Sequence, residues 1–339
     1  MLPRCRRGAS GTLSAMSLRI RSLSTLVVGT IAVGVVLAAC GNAVDGGRGS
    51  TPLRAESGQP VVVSRLVVVG DIACDPASPY YNRGHGDRRH CRQRAVGQLV
   101  RRLDPDAVIT TGDNQYEVGG LRAYRTSYDA AFGDLLPITW PVAGNHEYGT
   151  AGASGYFRYF GARAGTPDRP WRWFAPADVW RVALLDSNCP DVGGCGASSA
   201  QARWLHRRLV LDPTRCTIAA WHHPLHTAGS YRRSADTKAL ARPLWRAADR
   251  GGVDLVVNGH DHSYQRFATI DGMVEFVSGA GGKSHYPLSR ARGLRSGNDT
   301  DFGVLLLTLF SDGTYRHVFV TVDGTRQDVG HGRCANPRR

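Results

Sequence analysis

The sequence predicts an α/β fold carrying a second, more antiparallel sheet, and three observations lead there. Short runs rich in valine and isoleucine stop abruptly at polar clusters, as buried strands do. Stretches with helical spacing lie between those runs, and the last third of the chain carries two hairpin signals. The runs are residues 65–70 before Asp71, 107–112 before Asp113, 138–144 before Asn145, 217–221 before His222 and 255–259 before His260. Residues 92–103, 121–135, 199–211 and 236–250 have the helical spacing. Residues 264–279 and 302–322 read as hairpins turning at Asp271-Gly272 and Asp312-Gly313. Within 171–180, Trp171, Trp173 and Trp180 need burial, which favours a hairpin packed on the core over an exposed contact patch. Open α/β sheets place their sites beyond the carboxyl ends of strands, so the five polar clusters are expected to converge.

The N-terminal segment stands apart from this pattern. Residues 1–39 hold Arg4, Arg6, Arg7, Arg19 and Arg21 but no acid, followed by an apolar run over 23–39, and read as an export signal. Met16 offers a second start that would give the signal conventional length. The run ends Leu37-Ala38-Ala39-Cys40-Gly41, which resembles a bacterial lipobox with Cys40 as the lipidated residue. Residues 40–60 are rich in glycine with little apolar content, and predict a flexible tether with a reach of about 25 Å. Residues 61–339 are then expected to form one catalytic domain, since no repeat or composition break divides them. The expected location is the outer face of a bacterial membrane, as a lipoprotein, or the surroundings as a secreted protein.

Composition narrows the function classes. Hydrophobic residues make up 42% and charged residues 21% of the 339, which excludes a disordered chain. The leader removes five arginines and no acid, so the formal charge falls from +14 to +9 without it, and the surplus favours anionic partners such as phosphorylated substrates. Nucleic acid is not expected, because the arginines are scattered and no binding motif accompanies them. Outside Cys5 and Cys40 six cysteines remain, an even number that predicts up to three disulfides in an oxidising compartment, although sequence alone does not choose among the pairings they allow. Cys74 with Cys91 would close the polar loop between the first strand and the next helix; Cys189 with Cys195 and Cys216 with Cys334 follow by proximity and elimination.

The polar clusters carry the chemistry. In order they read GDIACD from Gly70, GDNQYE from Gly112, GNHEY from Gly144, WHHP from Trp221 and GHDHSYQR from Gly259. Aspartate, asparagine and imidazole suit iron, zinc and manganese rather than copper(I) or a calcium cage. Taken singly, each has a plain structural reading: Asp71 or Asp113 as a helix cap, Asn145 as a turn residue, His222 as a packed histidine. Together and in this order they resemble the blocks of the calcineurin-like metallophosphoesterases across residues 64–310. That resemblance implies an αββα four-layer sandwich of two mixed sheets flanked by helices. Most members place a histidine two residues after the first aspartate, where this chain has Ala73. Tyr116, three residues after Asp113, instead resembles the GD-x-x-Y of the purple acid phosphatases, and GHDHSYQR resembles their GH-x-H-x-Y-E-R with Gln265 in place of the glutamate.

Carried over residue by residue, the resemblance implies two metal ions, iron(III) plus a divalent iron, zinc or manganese. Asp71, Asp113, Tyr116 and His262 would hold the first, and Asp113, Asn145, His222 and His260 the second, with Asp113 bridging. A phenol has a pKa near 10 in water, so a tyrosinate at neutral pH points to a strongly acidic cation. The implied reaction is hydrolysis of phosphate monoesters by attack of metal-bound hydroxide, acid phosphatase-like, with no protein nucleophile. His146 resembles the family histidine that stabilises the transition state or protonates the leaving oxygen, and Glu147 is a candidate to orient it. His223 and His226 are second-layer or substrate-facing candidates. Residues 80–90, 149–163, 226–233 and 283–286 are candidate pocket loops. A phosphodiesterase or nucleotidase on the same fold is the alternative chemistry, and a lipid-anchored, metal-stabilised binding module the non-enzymatic one.

Overall fold

A computed structural model of the chain describes residues 59–211 and 216–335. The expected leader, Cys40 and all but the last residues of the expected tether lie outside the described residues.

Strands are numbered in chain order and fall into two sheets. The first has the order β13-β12-β11-β1-β2-β3, built from β1 (Val62–Val69), β2 (Ala107–Thr111), β3 (Thr139–Val142), β11 (Gly303–Phe310), β12 (Thr314–Thr321) and β13 (Arg326–Arg333). The second has the order β10-β8-β9-β7-β6-β5-β4, built from β4 (Arg172–Ala177), β5 (Trp180–Leu184), β6 (Cys216–Ala220), β7 (Leu255–Asn258), β8 (Tyr264–Phe267), β9 (Val274–Ser278) and β10 (Leu294–Asn298). Both sheets are mixed: β1, β2 and β3 are parallel while β11 runs against β1, and β5, β6, β7 and β9 are parallel while β4 and β8 run against their neighbours. Both expected hairpins form, as does the β4–β5 hairpin that buries Trp171 and Trp180.

Alternation along the central strands explains the layering. Leu66 and Val68 of β1 and Ile109 of β2 pack with Ile218 and Ala220 of β6 and Val257 of β7 between the sheets. The intervening Val67, Val69 and Val108 face outward onto Val96, Leu99 and Val100 of α1 (Gln93–Leu103). On the other side Ala219 and Val256 meet Leu205 of α5 (Ala200–Leu211) and Leu244 and Ala248 of α6 (Ala235–Gly251). The result is the αββα sandwich, with strands apolar on both faces because both are covered. Each fully buried aliphatic side chain contributes about 1.5–3 kcal/mol. Helix α6 begins where Ser234 Oγ accepts the Thr237 amide and ends where Gly252, at φ 77°, returns its amide to Ala248 and Asp249.

Residues 121–135 depart from the continuous helix that their spacing predicts. Short α2 (Leu121–Ala123) gives way to a wide π-type turn over Tyr124–Tyr128, then α3 (Asp129–Phe132) and a tight turn through Pro137. Two polar demands break it: the Tyr128 amide donates to Gln115 Oε1, and the Tyr124 hydroxyl donates to Glu147. The candidate pocket loop at 149–163 likewise differs from expectation. It contains α4 (Ser154–Phe160), whose Tyr156 and Phe160 are buried in the core.

The three disulfides are Cys74–Cys91, Cys189–Cys195 and Cys216–Cys334. The last ties the C-terminal segment to the start of β6 across 118 residues, a closure that in the chain-entropy picture constrains the unfolded chain by about 4–5 kcal/mol. Among the described residues no helix is long and apolar enough to cross a membrane.

Candidate metal centre

The strands β1, β2, β3, β6 and β7 end side by side, and the residues that follow them meet at one place. Asp71, Asp113 and His260 sit at φ 60°, 49° and 70°, a left-handed backbone that turns each side chain sharply off its strand. Two glycines make the approach possible. A Cβ on Gly112 would lie 2.5 Å from His222 Nδ1, and one on Gly144 would lie 2.1 Å from Asp113 Oδ1.

The Tyr116 hydroxyl lies 3.0 Å from Asp71 Oδ1, 3.1 Å from Asp113 Oδ2 and 2.9 Å from His262 Nε2. On the other side of Asp113, His222 Nε2 lies 3.3 Å from Asp113 Oδ2, 3.1 Å from Asn145 Oδ1 and 3.2 Å from His260 Nδ1. All seven expected ligands are therefore in one cluster, with Asp113 between its halves. Asp71, Asp113, Tyr116, His222, His260 and His262 are buried, Asn145 is exposed, and His146 is half-buried, so the open face is at Asn145 and His146.

Neighbours orient each imidazole. His222 Nδ1 donates to the Thr111 carbonyl at 2.8 Å, which turns its Nε2 lone pair inward; His262 Nδ1 meets Ser284 Oγ at 2.8 Å; His260 Nε2 faces Thr237 Oγ1 at 3.4 Å. Facing ring nitrogens of His222 and His260 in a buried site repel unless a proton or a metal cation lies between them. The donor set fits metal: one oxygen or nitrogen each from Asp71, Asp113 and His222 lie within 4.8 Å of one another, as do nitrogens of His222, His223 and His260. Charge tells the same story. Burial raises Asp71 well above the usual carboxylate range, whereas the nearby His222 outweighs burial at Asp113 and holds it low. Burial lowers His222, but Asp113 overrides it and lifts it to about 9, while burial pushes His262 to about 3. Burial beside two carboxylates raises the Tyr116 phenol well above its ordinary value, so it keeps its proton unless a cation joins the cluster.

The motif between Asp113 and Tyr116 is a bracing element. Gln115 Nε2 donates to the carbonyls of Ala73, Cys74 and Tyr116, and the Tyr116 amide donates to Ala73 O. Ala73, where a histidine is common in the family, thus serves through its backbone and is fully buried.

His146 sits above this floor. Its amide donates to Asp113 Oδ1 at 3.0 Å, its Nδ1 reaches the Glu117 carbonyl at 2.5 Å, its ring lies 4.3 Å from that of Tyr116, and its Nε2 is 3.9 Å from Asp113 Oδ2. Glu147 does not orient it, contrary to expectation. The Glu147 carboxylate is fully buried and accepts the amides of Asp113, Asn114, Gln115 and Gly144 and the Tyr124 hydroxyl, because four amides from two strand ends and a phenol outbid one imidazole. His223 is buried with Nδ1 2.8 Å from Ser187 Oγ and its ring 4.5 Å from that of His260. His226 turns to Glu275 Oε2 at 2.7 Å and, among the described residues, forms no hydrogen bond to the seven.

Sequence reasoning missed the end of β5. Asp186 is buried, accepts the Asn188 amide and side chain and the Tyr148 hydroxyl, and Asn188 Nδ2 reaches the Gly144 carbonyl, which steadies the turn before Asn145. The signal was present, since residues 182–185 are an apolar run stopping at Asp186. Also missed were two ring contacts: Tyr231 stacks on His260 at 3.8 Å and Tyr286 on His262 at 4.0 Å.

The sequence profile of the calcineurin-like phosphoesterase family matches residues 64–264, more than half of the chain. The chain belongs to the calcineurin-like phosphoesterases. Among curated relatives of this phosphoesterase, tartrate-resistant acid phosphatase type 5 of Rattus norvegicus is 25% identical over 255 residues, covering 68% of this chain and 76% of that protein. Purple acid phosphatase 17 of Arabidopsis thaliana is 28% identical over 220 residues, covering 56% of this chain and 62% of its own length. The structure of purple acid phosphatase PPD1 from yellow lupin (Lupinus luteus) seeds superposes with a TM-score of 0.65 at 18% identity, covering 80% of this chain and 54% of that one. This phosphoesterase thus spans about half the length of that solved relative and shares its fold. It is a metal-dependent phosphoester hydrolase, and its relatives imply a dinuclear metal centre at the cluster described.

Proposed function

We propose that the phosphoesterase is an exported phosphomonoesterase with an iron(III) ion on Asp71, Asp113, Tyr116 and His262 and a divalent iron, zinc or manganese ion on Asp113, Asn145, His222 and His260. The observation that carries this reading is the Tyr116 hydroxyl, set between Asp71, Asp113 and His262 where a histidine-type site would have no phenol. When bound, the two ions supply the Lewis acidity that activates water and offsets charge at phosphorus. The chain does the rest. Asn145 and His146 line the open face through which a phosphoryl group enters. His146, held at Nδ1 by the Glu117 carbonyl, keeps Nε2 directed at the site to deliver a proton to the departing oxygen. His223 flanks His222 and His260 at the same corner. Export rests on the leader and the three disulfides, with a domain layout of signal over 1–39, tether over 40–60 and catalytic domain over 61–339, and lipidation at Cys40 would hold the enzyme on the outer membrane face.

One purified sample tests the reading. Protein isolated with iron is expected to absorb in the visible through tyrosinate-to-iron(III) charge transfer, to lose that band in Tyr116→Phe, and to turn over a phosphate monoester with kcat/KM at least about tenfold above the matching diester. An active but colourless, iron-free enzyme, or a preference for the diester, would overturn it.

A further inference from the structure

A second hollow, built partly from the segments that cover the metal cluster, has only basic groups among its charged lining. It has a volume of about 330 Å³ and is lined by Arg232, Arg233, Lys238, Arg290, Arg292 and His226, with no acidic side chain on its wall. Arg232, Arg233, Lys238, Arg290 and Arg292 form no ion pair among the described residues. Glu275 is fully buried and spends itself on the amides of Leu225 and His226 and on His226 Nδ1, and Asp261, also buried, on the Thr227 hydroxyl and the Ser230 amide. Five like charges gathered around one hollow repel one another, and an anion is what relieves that repulsion.

The cavity is joined to the metal centre by the two segments that build both. Tyr231, whose ring stacks on His260, directly precedes Arg232, and the Ser230 amide donates to Asp261 Oδ1. Tyr286, stacked on His262, lies four residues before Arg290, and the Ser289 amide donates to the Ala228 carbonyl, stitching the segments together. The same two segments thus carry both the rings that cover His260 and His262 and the arginines of the hollow.

We propose, resting on the esterase reading above, that this cavity is a second anion subsite, and that the preferred substrates are small phosphoesters carrying at least one further phosphate on the leaving-group side. The phosphate being cleaved sits at the metal cluster and the further phosphate sits among Arg232, Arg290 and Arg292. Guanidinium groups suit this task because they grip phosphate oxygens in pairs.

The test uses the whole mature enzyme and the double variant Arg290→Ser/Arg292→Ser, with thermal melting to verify folding. In the wild type, kcat/KM for a sugar bisphosphate is expected to exceed that for the corresponding monophosphate about tenfold at low salt, and the ratio is expected to fall to near one in the variant, as it does for the wild type at high salt. A ratio near one in the wild type, or one unchanged in the variant, overturns the subsite. Calorimetric titration with inorganic triphosphate needs no turnover and is expected to show about tenfold weaker binding in the variant. If the enzyme hydrolyses no monoester but this difference persists, the esterase reading fails and the subsite stands; equal binding sinks the subsite alone. A variant that loses only its retention on vesicles of anionic lipid, with unchanged triphosphate binding, assigns the cavity to a membrane surface and likewise overturns the proposal.

Discussion

Asp113→Ala is expected to abolish hydrolysis of p-nitrophenyl phosphate down to the background of chelated protein and to strip both metals from the chain. The Asp113 carboxylate lies between the halves of the cluster, reaching Tyr116 on one side and His222 on the other, and its backbone is pinned by Glu147. Removing it leaves His222 without the negative charge that offsets its burial, so neither half keeps its geometry. Asp113→Asn preserves the shape and one oxygen, and is expected to retain a single metal at most. Metal analysis and initial rates on the same samples decide the matter; an alanine variant with both metals and full activity would contradict the bridging role.

His146→Ala is expected to lower kcat by about 10²–10⁴ with a much smaller change in KM, because a proton donor acts in the transition state rather than on bound substrate. The loss depends on the leaving group. Nitrophenolate departs without help, so the variant should be impaired less on p-nitrophenyl phosphate than on an alkyl phosphate, whose alkoxide needs the proton. Equal losses on both substrates would show that His146 acts on the phosphoryl group instead. Its placement supports the acid: it is half-buried at the open face and held at Nδ1 by the Glu117 carbonyl, leaving Nε2 free to face substrate.

The strand ends were legible because each is an apolar run cut short by a glycine and a ligand-type residue, a pattern that survives without any knowledge of distant contacts. β1, β2, β3, β6 and β7 accordingly end next to the expected clusters, and the three cysteine pairs match what proximity and elimination gave. What was not legible depends on partners far away in sequence. The helix expected over 121–135 breaks because Gln115 and Glu147, on other segments, claim a Tyr128 amide and the Tyr124 hydroxyl. Chain proximity makes Glu147 a candidate to orient His146, yet its real partners are amides of residues 113–115 and 144. Residues 149–163 read as a pocket loop, but Tyr156 and Phe160 of α4 are buried in the core with Val108 of β2. The loops at 226–233 and 283–286 read as pocket loops, but that Tyr231 and Tyr286 lie flat on His260 and His262 is a packing outcome with no local signature.

The number of metals that the cluster holds decides how this phosphoesterase works. Protein freed of metal and titrated with iron and zinc, with bound metal measured per chain alongside monoester hydrolysis, is predicted to bind two ions per chain and to reach full activity only as the second site fills. Full activity at one ion per chain, or in the fully stripped protein, would contradict it.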